Sequence, residues 1–142
     1  MERVLVTVLD HVGIHVADLA RSSRFYTGAL GALGHALVMS LDGNAIGTAS
    51  QHGFGRDGKP SFWIIEAAGL RGDGAAVGQG SHIAFAAPDR AAVDAFHAAA
   101  IAAGGRDNGP PGLRPHYHPA YYGAFVLDLD GNNIEAVCHV AE

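Results

Sequence analysis

The sequence runs to 142 residues, room for one compact domain or two very small modules sharing a core. Apolar residues make up 49% and charged residues 16%, a balance that can bury a core and excludes a disordered chain. Nine Lys and Arg stand against fourteen Asp and Glu, a net charge of −5, and the cations are scattered. A nucleic-acid or anionic-membrane partner, which needs concentrated cations, is disfavoured. The one cysteine, Cys138, excludes an internal disulfide framework and fits a reducing compartment. No apolar run approaches the roughly 18 residues of a membrane span, and MERVLVTVLDH lacks a signal-peptide pattern. The expected location is the cytoplasm. Nine histidines in so short a chain are the first hint of chemistry.

The chain repeats itself. HVGIHVAD (11–18) overlies HIAFAAPD (82–89) at an offset of 71, each opening on a histidine and closing on an aspartate. At the same offset Phe25 falls on Phe96, Leu30 on Ile101 and Gly34 on Gly105. The apolar runs 10–17 and 81–87 read as strands. Asp18 and Asp89 are placed to cap the helices that follow. Leu19, Phe25, Tyr26, Ala29, Leu30 and Leu33 recur at helical steps, as do Val93, Phe96, Ala100 and Ile101. Gly34 and Gly104-Gly105 end the helices. Residues 35–41 and 44–50 flank Asp42-Gly43 as a hairpin-like pair, and 61–67 is a strong β run. A Gly-rich linker, 69–80, follows. Residues 109–119 (GPPGLRPHYHP) read as an extended loop, and 121–128 and 132–140 flank the turn at Asp130-Gly131. The expected fold is α+β: a single domain, 1–142, of two tandem β-α-β-β-β modules, about 1–68 and 80–142. Each module is a curved mixed-sheet half-barrel.

A repeat implies a pseudo-twofold axis, which brings His11 and His82 toward each other if both face inward. Glu135 is an acid where a strand interior should be apolar. Glu66 is its counterpart candidate in the first half, although the strict offset sets Ile64 opposite Glu135. Two imidazoles and one carboxylate make a facial triad suited to a divalent transition metal, with positions open for substrate. A carboxylate from Glu66 would close the shell further. His116, Tyr117 and His118 lie in a proline-bounded loop just before Tyr121 and Tyr122. They are candidates for the cavity mouth, as general acid/base groups or substrate contacts. His15 shares a strand face with His11 and reads as pocket wall. Trp63 reads as packing, and Cys138 alternates away from Glu135. GRDGKP lacks the spacing of a phosphate-binding loop, and DLDGNN that of an EF-hand.

The segments HVGIHVADLARSSRFYTGALG, SHIAFAA and DLDGNNIEAV resemble the vicinal oxygen chelate superfamily: glyoxalase I, fosfomycin-resistance thiol transferases, bleomycin-resistance proteins and extradiol dioxygenases. The resemblance implies a metal held by His11, His82 and Glu135, with Glu66 nearest to the fourth ligand of glyoxalase I. It implies a divalent ion (Fe, Mn, Ni, Zn or Co), a small-molecule substrate and a homodimer, with the cavity built either within one chain or from both. Catalytic roles fall to Glu135, His116, His118 and Tyr122. The expected activity is that of a metal-dependent lyase or isomerase acting through vicinal oxygens. One alternative is an extradiol-type dioxygenase, in which His116, His118, Tyr121 or Tyr122 supplies the extra histidine and tyrosine. The other is a drug-binding resistance protein without turnover.

Overall fold

Asp18 and Asp89 start the two long helices: each side chain accepts from a first-turn amide, of Arg21 at 3.0 Å and of Ala92 at 2.8 Å. The computed structural model describes residues 8–67 and 81–142. The first half runs β1 (Val12–Val16), α1 (Leu19–Gly31), β2 (Ala36–Leu41), α2 (Gly43–Ile46), β3 (Gln51–Arg56) and β4 (Lys59–Glu66). The second runs β5 (His82–Ala86), α3 (Arg90–Ala102), β6 (Arg106–Leu113), β7 (Tyr122–Leu127) and β8 (Asn133–Cys138). The linker expected at 69–80 lies outside the described residues.

The described residues form two four-stranded mixed sheets of matching order, β1-β4-β3-β2 and β5-β8-β7-β6. In each, the first strand runs parallel to the last and the others are antiparallel. The fold is α+β, and neither sheet closes into a barrel.

Strand alternation gives each sheet a helix side and an open side. Ile14, Val16, Phe62 and Ile64 of the first sheet are buried with Phe25, Tyr26 and Leu30 of α1. Val126, Ile134 and Ala136 of the second sheet meet Val93 and Phe96 of α3 in the same hydrophobic cluster. Full burial of a side chain such as Phe25 or Phe96 contributes about 1.5–3 kcal/mol. The helices also pack on each other. Tyr26 donates its hydroxyl to Asp128, and the Ala17 amide donates to Asp130 Oδ1 at 3.0 Å. The turn before β8 therefore fastens the first half to the second through their helix sides.

Two local expectations are corrected. Asp42-Gly43 is not a tight hairpin turn: β2 does pair antiparallel with β3, but across residues 42–50, where Asp42 caps the single turn α2 and Ser50 Oγ accepts from the Gly43 amide at 2.8 Å. The hairpin joins β3 and β4 at Asp57-Gly58, whose φ angles of 52° and 75° suit a type I′ turn. Residues 109–113 are no loop either. They belong to β6, an edge strand whose ladder to β7 shifts register around Gly109 and Gly112, where Pro110 and Pro111 need donate no ladder hydrogen bond.

Candidate functional site

Glu135 occupies the centre of β8 on the open side of the second sheet, between Ala84 of β5 and Phe125 of β7. It is nevertheless only 2% exposed, because its neighbours close over it. Tyr121, the residue before β7, donates its hydroxyl to Glu135 Oε2. Gly123 leaves room for this pair: a Cβ there would stand 3.1 Å from the Tyr121 ring and 3.3 Å from Oε2. Burial and the adjacent carboxylate raise the Tyr121 phenol well above its ordinary pKa, so it stays a proton donor.

His82 supplies the other side. Its Nδ1 lies 3.1 Å from the Asn133 carbonyl oxygen, which can only accept, so Nδ1 carries the proton. In the neutral ring Nε2 is then an acceptor, yet it faces Glu135 Oε1 at 3.1 Å. Two acceptors at that distance are stable only with a proton or a cation between them. A divalent ion about 2.0–2.2 Å from nitrogen and oxygen donors spans a separation of roughly 3 Å when the two subtend a right angle. The Nδ1-to-carbonyl bond is also the outer-shell contact that orients a ligating imidazole. The donor pair fits a metal.

His11 is oriented in the same way but elsewhere. Its Nδ1 donates to Asp10 Oδ2 at 2.6 Å, which leaves Nε2 as the ligand nitrogen. Lys59 Nζ joins the same carboxylate at 3.1 Å, and His11 with Lys59 holds Asp10 below the usual carboxylate range. His11 borders a recess on the open side of the first sheet and another that runs to Ala84 and Phe85 of β5, whereas His82 and Glu135 line a separate one on the second sheet. Among the described residues no three His, Cys, Asp or Glu side chains gather within reach of one ion. Of the three residues expected to converge on one ion, a single chain brings His82 and Glu135 together and leaves His11 in another recess. The halves are joined helix side to helix side, so their open sides do not meet.

Glu66 is displaced further. It shares the face of Phe62 and Ile64, toward the helix, and borders a recess with Asp18, Ser50 and His52. The residue matching Glu135 is Trp63. The offset of 71 holds for β1 and β5, but one extra residue makes it 72 for the later strands. Trp63 thus pairs with Gly13 and Gly53 as Glu135 pairs with Ala84 and Phe125. The strict arithmetic that chose Ile64 missed that residue. Trp63 is half-buried on the open side rather than packed in the core.

Tyr122, expected as catalytic, points the other way: its hydroxyl donates to Asp94 Oδ1 at 2.6 Å and Arg90 sits 5.2 Å over its ring. Odd-numbered Tyr121, Gly123 and Phe125 take the open side, and even-numbered Tyr122, Ala124 and Val126 the helix side. Tyr121 is the tyrosine beside the carboxylate. The His116 ring lies tilted against Tyr117 at 4.2 Å, and Tyr117 packs on Tyr121 at 5.0 Å. His118 Nδ1 accepts from the Ala120 amide at 3.1 Å, and its ring meets His139. Tyr117 and Tyr121, but neither His116 nor His118, border the Glu135 recess.

A family model for the Glyoxalase/Bleomycin resistance protein/Dioxygenase superfamily matches residues 8–136. The chain belongs to this superfamily. A glyoxalase/bleomycin resistance protein from Albidiferax ferrireducens is 33% identical, with a TM-score of 0.73 over 93% of this chain and 98% of its own. The fosfomycin resistance protein FosX from Listeria monocytogenes is 20% identical, with a TM-score of 0.62 over 94% of each chain. A mutant glyoxalase I from Zea mays is also 20% identical, with a TM-score of 0.63 over 91% of this chain and 46% of its own. At such identities the last two share the fold. No curated protein matches the sequence. No helix among the described residues of this superfamily member is long and apolar enough to cross a membrane.

Proposed function

We propose that this superfamily member is a metal-dependent glyoxalase-like enzyme of the lyase or isomerase type, acting on a small cytoplasmic substrate through two adjacent oxygens. The observation that carries the reading is the His82–Glu135 pair, in which Nδ1 is tied to a carbonyl and Nε2 faces a carboxylate oxygen at 3.1 Å. The third donor is His11, brought by a second copy of the chain. Two chains related by a twofold axis can set the open side of one first sheet against the open side of the other second sheet, giving two equivalent sites. A divalent ion at such a site supplies Lewis-acid stabilisation of charge developing on a substrate oxygen. The chain's own groups do the rest. Asp10 and the Asn133 carbonyl orient the two imidazoles, Tyr121 holds Glu135, and Phe125 limits water on one side.

One observation favours a second reading. The Tyr121 phenol beside a ligating carboxylate suits an Fe(II) extradiol dioxygenase, for which catechol consumption under oxygen is the discriminating assay. The first test is a cobalt(II) titration of chelator-treated protein. One ion per chain should bind with a visible absorption band, and Glu135→Gln should weaken binding at least about tenfold while keeping the fold. Unchanged cobalt affinity in that variant refutes the site.

A further inference from the structure

We propose that Trp63 is an aromatic binding platform beside His11, receiving a flat ring of the ligand on the open side of the first sheet. The two ladders that set Trp63 level with Glu135 also set a glycine on each side of it, Gly13 of β1 and Gly53 of β3. Gly53 lets the indole lie down across the sheet. A Cβ there would stand 2.9 Å from Pro60 Cβ and 3.0 Å from the indole Cη2 and Cζ3 atoms. Gly13, between His11 and His15, makes room on the other side for Ile65, whose Cδ1 would stand 3.1 Å from a Cβ there. The result is a recess of about 530 Å³ whose lining includes His11, Gly13, Gln51, Pro60, Trp63 and Ile65.

A tryptophan needed only for packing belongs on the helix side, with Phe62 and Ile64, where its area leaves water altogether. Trp63 keeps part of its ring exposed instead, in a recess with a ligating-type imidazole at one end and proline and isoleucine beside it. Indole, Pro60 and Ile65 offer apolar contact with one strongly preferred partner, a planar π system stacked or edge-on. Trp63 also takes the position that would have held a second carboxylate, so the metal shell is confined to three protein ligands. The link between the stacked ring and a bound ion rests on the metal reading above; the platform itself rests on Trp63 and its glycines.

Trp63 is the only tryptophan, so its emission reports the platform directly. The test titrates chelator-treated and zinc-loaded protein with 2,3-dihydroxynaphthalene and, in parallel, with cis-1,2-cyclohexanediol. The expected result is a saturable change in emission with the aromatic diol in both forms and none with the aliphatic diol. By calorimetry Trp63→Leu should weaken the aromatic diol roughly tenfold, and Trp63→Phe should retain most of the affinity. If Trp63→Leu fails to fold, Gly53→Ala, which displaces the indole without removing it, must weaken binding in its place. The absence of a saturable change in either form, or equal affinity for the two diols, overturns the platform. Zinc binding without any emission change sinks the platform alone. An emission change in a protein that binds no zinc sinks the metal reading and leaves the platform standing.

Discussion

The His82 imidazole and the Glu135 carboxylate meet Nε2 to Oε1 at 3.1 Å, each held from behind by another group. The Asn133 carbonyl fixes the imidazole and the Tyr121 hydroxyl fixes the carboxylate. With Tyr121 donating to Oε2, Oε1 keeps its lone pairs for His82 or for a bound ion. Tyr121→Phe keeps the ring and its packing on Tyr117 and His139 but frees the carboxylate to turn. Divalent-metal affinity should fall about 10- to 100-fold, the range seen when an outer-shell partner is lost. Thermal stability without metal should change little. A cobalt titration with wild-type affinity in this variant would show that Glu135 needs no such support.

Trp63→Glu tests the register match from the opposite direction. If Trp63 and Glu135 are equivalent, a carboxylate at 63 projects from the open side next to His11 and adds a fourth donor. Zinc should bind more tightly than to the wild type and exchange more slowly, as measured by competition with a chromogenic chelator. Glu at 64, which arithmetic at an offset of 71 would select, should instead bury a charge on the helix side and unfold the protein. Tighter zinc binding by Ile64→Glu than by Trp63→Glu would reverse the assignment.

The acid side of the stability curve follows from two histidines on the helix side of the first sheet. Burial, with Arg56 adding to it, lowers the His35 pKa from its ordinary 6.5, and Nδ1 of that ring is buried without a hydrogen-bond partner. Burial also lowers His52, against a smaller opposing pull from Glu66. Below about pH 6.5 the unfolded chain therefore binds more protons than the folded one. Their contribution is present above that value and is lost as pH falls through the lower folded values. The melting temperature should drop between pH 7 and pH 5, and less steeply in a His35→Gln/His52→Gln double variant. Parallel profiles for the two proteins would assign the acid sensitivity to other groups.

Much of this was legible in the sequence because repeat and periodicity are local. The offset of 71 located both first strands and both helices, and Asp18 and Asp89 do cap them. The dipeptide Asp-Gly was ambiguous, since aspartate is both a helix cap and a turn former. Asp42-Gly43 became a cap because Ser50 bonds the Gly43 amide, and Asp57-Gly58 became the hairpin. A single extra residue before β7 moved the counterpart of Glu135 from Ile64 to Trp63, because one step along a strand reverses the face. The same parity, applied to Tyr121 and Tyr122, would have chosen the right tyrosine. The separation of His11 from His82 had no local signal. It is set by how α1 packs on α3 and by the bonds from Tyr26 to Asp128 and from Ala17 to Asp130, across more than a hundred residues of sequence.

In the proposed site one chain's His11 and a second chain's His82 and Glu135 share an ion, and subunit mixing reads this sharing directly. His11→Ala and Glu135→Gln are each prepared alone, denatured together, refolded and assayed for bound cobalt by equilibrium dialysis. Each variant alone should bind almost none. A site built across two chains is intact once in every mixed dimer, so random pairing should restore about a quarter of the wild-type capacity. If the mixture binds no more than the separate variants, although labelled subunits show that mixed dimers have formed, the shared site does not exist.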